Sequence, residues 1–112
     1  MTCNYPPRTI VGAEIDNQNI LSSCRHGKTL TDDYSVTLND YIFLGNAASK
    51  VITLTLLPAV KFKDRILYCK KIDSSSNAFK LVGDIEGDSF YDITSQWQTI
   101  PIYCNGEAYF VL

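Results

Sequence analysis

Residues 51–57 read VITLTLL, and their alternation decides the fold class: Ile52, Leu54 and Leu56 share one side of an extended segment while Thr53 and Thr55 share the other. A strand buried on one face and wetted on the other has this pattern, and in hairpin-rich proteins such strands pair antiparallel. Pro58 cannot donate to a ladder, so pairing is expected to stop there. Outward from this segment the same grammar repeats. The runs YSVTL (34–38), YIFL (41–44), RILYCKKI (65–72), AFKLV (78–82), SFYDIT (89–94), TIPIYC (99–104) and AYFVL (108–112) are rich in β-branched and aromatic residues. Turn residues separate them: Asn39-Asp40, Gly45-Asn46, the DSSSN stretch at 73–77, Gly83-Asp84, Gly87-Asp88 and Asn105-Gly106. Short strands at intervals of about 8 to 12 residues predict an all-β chain, an antiparallel β-sandwich of jelly-roll type with about eight strands.

Two details sharpen that expectation. Asn105-Gly106 is the two-residue type I′ signal and predicts a hairpin between TIPIYC and EAYFVL. In RILYCKKI, Ile66, Tyr68 and Ile72 face one way and Leu67 and Cys69 the other, so both faces of this strand want cover. The final run is also apolar on both sides, with Tyr109 and Val111 opposing Ala108, Phe110 and Leu112. A central strand, or one covered by a neighbouring subunit, has this pattern.

Residues 1–27 differ in character. Pro6-Pro7 favours an extended polyproline conformation, and alternation is confined to Arg8–Val11, so a short strand at Thr9–Val11 and a helical turn near Asn17–Leu21 are the only elements expected. We read residues 1–27 as an arm and 28–112 as a β-sandwich head.

Composition narrows the functional classes. With 112 residues, 46% hydrophobic and 20% charged, the chain has ordinary globular composition, and seven Tyr with five Phe suit packed sheets. A net charge of −2 and a pI near 5.2 argue against nucleic acid as partner. The apolar stretch 51–60 is too short to span a bilayer as a helix, and the N-terminal residues have no apolar signal-peptide core, so no membrane insertion is expected.

Candidate chemistry is sparse. His26 is the only histidine, and beside Cys24 and Arg25 it reads as a solvent-exposed linker residue rather than part of a nucleophilic triad. Asp84, Glu86 and Asp88 form the densest carboxylate series; from an extended segment they would converge on a cation or serve a glycosidase, and as a solvated hairpin tip they do neither. Trp97 with Tyr91, Tyr103 and Tyr109 is a candidate sugar platform, although strand aromatics are more often core or interface. None of the four cysteines falls in a CxxC pair, which argues against zinc. Cys69 and Cys104, inside strands, read as small buried hydrophobes, with a disulfide between them as the alternative; Cys3 and Cys24 are open to intrachain or interchain bridging in an oxidising space. No cofactor is expected.

Over about Leu30–Leu112 the chain resembles the small β-rich terminal modules of phage tail fibres and of fibre or head proteins of large DNA viruses and their virophages. The residues that carry the resemblance are Asp40-Tyr41 entering an apolar strand, Leu57-Pro58 ending one, and Lys70-Lys71-Ile72-Asp73-Ser74-Ser75. The strand from Tyr91 to Trp97 and the terminal hairpin Asn105-Gly106 with Tyr109–Leu112 complete it. Tryptophan is commoner than Tyr109 at the hairpin aromatic, and four cysteines fit a virus of a eukaryotic host better than a phage.

The resemblance implies a non-enzymatic, trimeric viral structural protein on the virion surface or at a fibre tip, joined to other virion proteins through its arm. Host attachment, through a glycan or protein receptor, would use the loops 73–77 and 83–89, with Trp97, Tyr91, Asp84, Glu86 and Asp88 as the candidate surface. A monomeric carbohydrate-binding module built on Trp97 is the alternative, and a small hydrolase built on the acidic series ranks third.

Overall fold

The computed structural model describes residues 26–112. Every run singled out above contains a strand, and one more precedes them: β1 (His26–Leu30), β2 (Tyr34–Ser35), β3 (Asp40–Gly45), β4 (Ile52–Thr55), β5 (Arg65–Lys71), β6 (Phe79–Ile85), β7 (Asp88–Ile93), β8 (Thr99–Cys104) and β9 (Tyr109–Val111). A 3₁₀ turn, Ala59–Lys61, follows Pro58 and is the only helical element among the described residues. The backbone of His26 thus belongs to β1, opposite Asp40, rather than to a linker. Cys3, Cys24 and the short elements expected at 9–11 and 17–21 lie outside the described residues.

The strands form one sheet in the order β1-β3-β5-β8-β9-β6-β4-β2, with β7 on the other edge of β6, and the sheet curls into a nearly closed barrel. The antiparallel arrangement expected from the alternation is not what forms. Five of the eight pairings are parallel. Parallel neighbours need a crossover between them, and here each crossover contains a strand of the other ladder. The chain steps from β1 to β2, back to β3 beside β1, across to β4 beside β2, then to β5 and β6. Two interleaved parallel ladders result, β1-β3-β5 and β2-β4-β6. Antiparallel pairing is confined to the C-terminal strands: β7 on β6, β8 on β5 and β9 on β8.

Side chains from the two ladders meet inside. Phe43, Leu67 and Cys69 from one and Ile52, Leu54, Phe79 and Leu81 from the other are fully buried. Each large apolar side chain buried this way contributes about 1.5–3 kcal/mol. The approach of the ladders is closest where Gly45 on β3 faces Phe79 on β6: a Cβ at position 45 would lie 2.4 Å from the Phe79 ring. Cys69 and Cys104 are free, buried thiols, which leaves the small-hydrophobe reading. Burial pushes the Cys69 thiol up, away from its reactive ionised form.

Two turns position the functional candidates. Glu86 (φ 52°) and Gly87 (φ 87°) are both left-handed between the paired residues Ile85 and Asp88, the arrangement of a two-residue type I′ hairpin. The hairpin at Asn105-Gly106 forms, but one residue out of the expected phase. The Asn105 N–H donates to the Ala108 carbonyl (3.2 Å), so Gly106 (φ 95°) and Glu107 are the central pair. The Asn105 side chain causes the offset, because its Oδ1 accepts the N–H groups of Glu107 (2.8 Å) and Ala108 (3.0 Å) as an Asx turn.

Candidate functional site

Strand alternation turns Leu67 and Cys69 inward, so Ile66, Tyr68 and Lys70 stand on the outer face of β5. Register extends this face sideways. Ile42 of β3 neighbours Tyr68, which neighbours Pro101 of β8. One step along, Ile66 neighbours Tyr103, which neighbours Phe110 of β9. The Leu112 N–H donates to the Pro101 carbonyl (2.9 Å), which brings Leu112 to the end of the first row. Tyr41 meets Tyr68 edge to face at 5.4 Å between ring centroids. The result is a continuous apolar and aromatic sheet face, with Ile42, Phe110 and Leu112 36%, 37% and 66% exposed. The Tyr103 hydroxyl, at its margin, donates to Asp64 (2.8 Å), a bond that raises the phenol's pKa.

The acidic series does not converge. Asp84 sits on a β-bulge in β6, where the register with β7 gains one residue between Val82 and Ile85. Asp84 and Asp88 line an open depression of about 390 Å³ with Val82, Gly83, Gly87 and Ser89. Glu86 is not part of it: its Oε2 accepts the N–H of Val111 (3.0 Å) on β9. Among the described residues no group of three or more His, Cys, Asp or Glu side chains is placed to hold a metal.

The four candidate platform aromatics are likewise dispersed. Tyr91 lies on β7 beside Leu81 and packs against the core. Tyr109 is buried and donates its hydroxyl to the Leu57 carbonyl (2.8 Å), a site whose burial raises its pKa. Tyr103 is on the outer face of β8, about 13 Å along the strand from Thr99. Trp97 stands alone in the β7–β8 loop, 60% exposed.

The loop at 73–77, one of the two candidate recognition loops, is pinned by a polar network. Lys71 follows Leu67 and Cys69 on the inward face and is fully buried. Its ammonium donates to Asp73 Oδ2 (2.7 Å), the Asp73 carbonyl (3.0 Å) and the Ser75 carbonyl (2.9 Å), which uses all three of its protons. Asp73 also accepts the N–H groups of Ala47 (2.7 Å) and Ser75 (3.0 Å) and the hydroxyl of Ser75. Asn77 Nδ2 donates to the Ala47 carbonyl (2.9 Å) and ties the loop to the segment after β3. Burial works against ionisation of Asp73, but the bonds from Lys71, Ser75 and Ala47 outweigh it and hold the carboxyl well below the usual range. The signal for this network was the two-residue phase itself, since Lys71 and Asp73 continue the buried set 67, 69.

Comparison with family models, with curated protein sequences and with solved structures found no match to this chain.

Proposed function

We propose that this chain is a non-catalytic structural module that associates with copies of itself, as a homotrimer, through the outer face of β3, β5, β8 and β9. The observation that carries this is the unbroken row structure of that face, in which Ile42, Tyr68 and Pro101 lie beside Ile66, Tyr103 and Phe110. A β-rich body offering such a face resembles fibre-head modules in design, and residues 30–112 carry the motifs of that resemblance. On this reading the module belongs to a virion surface or fibre tip, is sandwich-like in packing, and presents its loops to a host receptor.

Solution mass tests the assembly. Light scattering on the native chain should give a trimer that persists in reductant, because the described thiols are buried and unpaired. Charges placed on the face should dissociate it. Phe110→Glu and Ile42→Glu substitute partly exposed side chains and leave the core intact, and each should weaken association by tenfold or more. A native chain that is monomeric at all concentrations would remove the proposal.

A further inference from the structure

We propose that Trp97 and Lys70 form a binding site for a carboxylate-bearing pyranose, with the indole stacking on the C–H face of the sugar and the ammonium meeting its carboxylate. The first observation is conformational. The Gln98 N–H donates to the Ser95 carbonyl (3.1 Å), which makes residues 95–98 a β-turn with Trp97 at its third position. Trp97 has φ 68° there, a left-handed conformation suited to glycine or asparagine and rarely adopted by a bulky side chain.

The surroundings impose that conformation. The Trp97 N–H donates to the Lys71 carbonyl (2.7 Å), the Lys71 N–H to the Gln98 carbonyl (3.1 Å), and Gln96 Nε2 to the Ile72 carbonyl (3.3 Å). The turn is clamped to the end of β5, the strand whose lysine anchors the buried network. Folding gains little from the side chain in return, since Trp97 is 60% exposed. Strain held in place around an exposed aromatic side chain marks a group presented for contact.

The second observation is electrostatic. Lys70 Nζ stands over the Trp97 ring at cation–π distance, 5.8 Å from its centre. The ion pairs among the described residues are Lys50 with Asp32, Lys71 with Asp73 and Lys80 with Asp92, so Lys70 has no carboxylate of its own. An ammonium that meets an exposed indole and no carboxylate selects an anionic ligand with an apolar face. Thr99, the register partner of Lys70, is exposed and supplies a hydroxyl for a sugar hydroxyl. A single cation at the site of a chain of net charge −2 does not suit a phosphate backbone, whereas an indole for a C–H face and an ammonium for a carboxylate together fit an acidic pyranose. Lys70 and Thr99 are the next row of the outer face beyond Tyr68 and Pro101, so the site borders the proposed interface without using its two rows.

Trp97 is the only tryptophan, so its fluorescence reports binding directly. Titrating the full chain with the methyl glycosides of glucuronic acid and of N-acetylneuraminic acid, both as free carboxylates, should give a saturable emission change, with affinity at least about tenfold stronger than for methyl glucoside. Trp97→Gly, followed by calorimetry, should lose binding while raising Tm, because glycine relieves the left-handed strain. Lys70→Gln should keep the weak neutral-sugar affinity and erase the preference for acid. Solution mass recorded on the same samples separates failure of this site from failure of the assembly. Absence of a saturable change with any sugar, equal affinity for acidic and neutral sugars, or a lowered Tm in Trp97→Gly would overturn the proposal.

Discussion

Replacing Lys71 with methionine is expected to destabilise the fold by about 3–5 kcal/mol at neutral pH, the usual cost of breaking a buried charge pair by removing one partner. Methionine fills a similar volume, so lost packing is a minor part of the effect. What remains is an ionised Asp73, 9% exposed, without its cation. The pH dependence identifies the cause. In the native chain the Asp73 carboxyl is held below its unfolded value, so its stabilising contribution is complete above the unfolded pKa of about 3.9 and is lost as pH falls below it. In Lys71→Met the carboxyl no longer has that cation, and protonating it relieves the penalty. The difference between native and variant should therefore shrink as urea unfolding is moved from pH 7 towards pH 3.5. A difference under about 1 kcal/mol at pH 7, no more than an ordinary single hydrogen bond, would show that the network does not hold the two loops.

The second large effect concerns the contact between ladders. Phe79→Ala should cost about 3–5 kcal/mol, because it removes a fully buried ring from the place where β6 packs under β3. Gly45→Ala should cost about 1–3 kcal/mol for the opposite reason: its Cβ would lie 2.4 Å from Phe79 Cδ2 and force the ring out of place. The two costs are not independent. With the ring gone, the added methyl meets no obstruction, so the double variant should be more stable than the sum predicts by about 1 kcal/mol or more. Additive losses in denaturant titrations would mean that Gly45 and Phe79 do not touch.

Much of the sheet was legible because burial alternates with period two. In VITLTLL the buried set Ile52, Leu54 and Leu56 is the one the pattern assigns, and the burial of Cys69 and Cys104 follows from their phase within strands, whereas their unpaired state did not. Pairing direction was not legible, since a strand half-buried in a parallel ladder alternates as an antiparallel one does. Only the short connections suggested hairpins, and most of these connections instead carry the chain across to the other ladder. Lys71 was hidden by its charge, although its phase was correct. The turn at Trp97 lacks the glycine or asparagine that would announce a left-handed residue, so nothing local marked it. The expected aromatic platform failed on topology: Tyr91 and Tyr103 belong to strands on different parts of the sheet, and Tyr109 points inward.

The interleaving of the two ladders also constrains how the chain reaches its native state. β2 and β4 lie in the connections that close β1-β3-β5, and β3 and β5 in those that close β2-β4-β6, so neither ladder can be completed as an independent folding unit. The two are joined at the far side only by β9, three residues long, which lies between β8 and β6. Pairings of this kind are almost all non-local, which makes folding slow and leaves no stable half-structure for the chain to rest in. Unfolding should accordingly be all-or-none: tryptophan emission from the β7–β8 loop and far-ultraviolet dichroism from the whole sheet should trace one coincident transition.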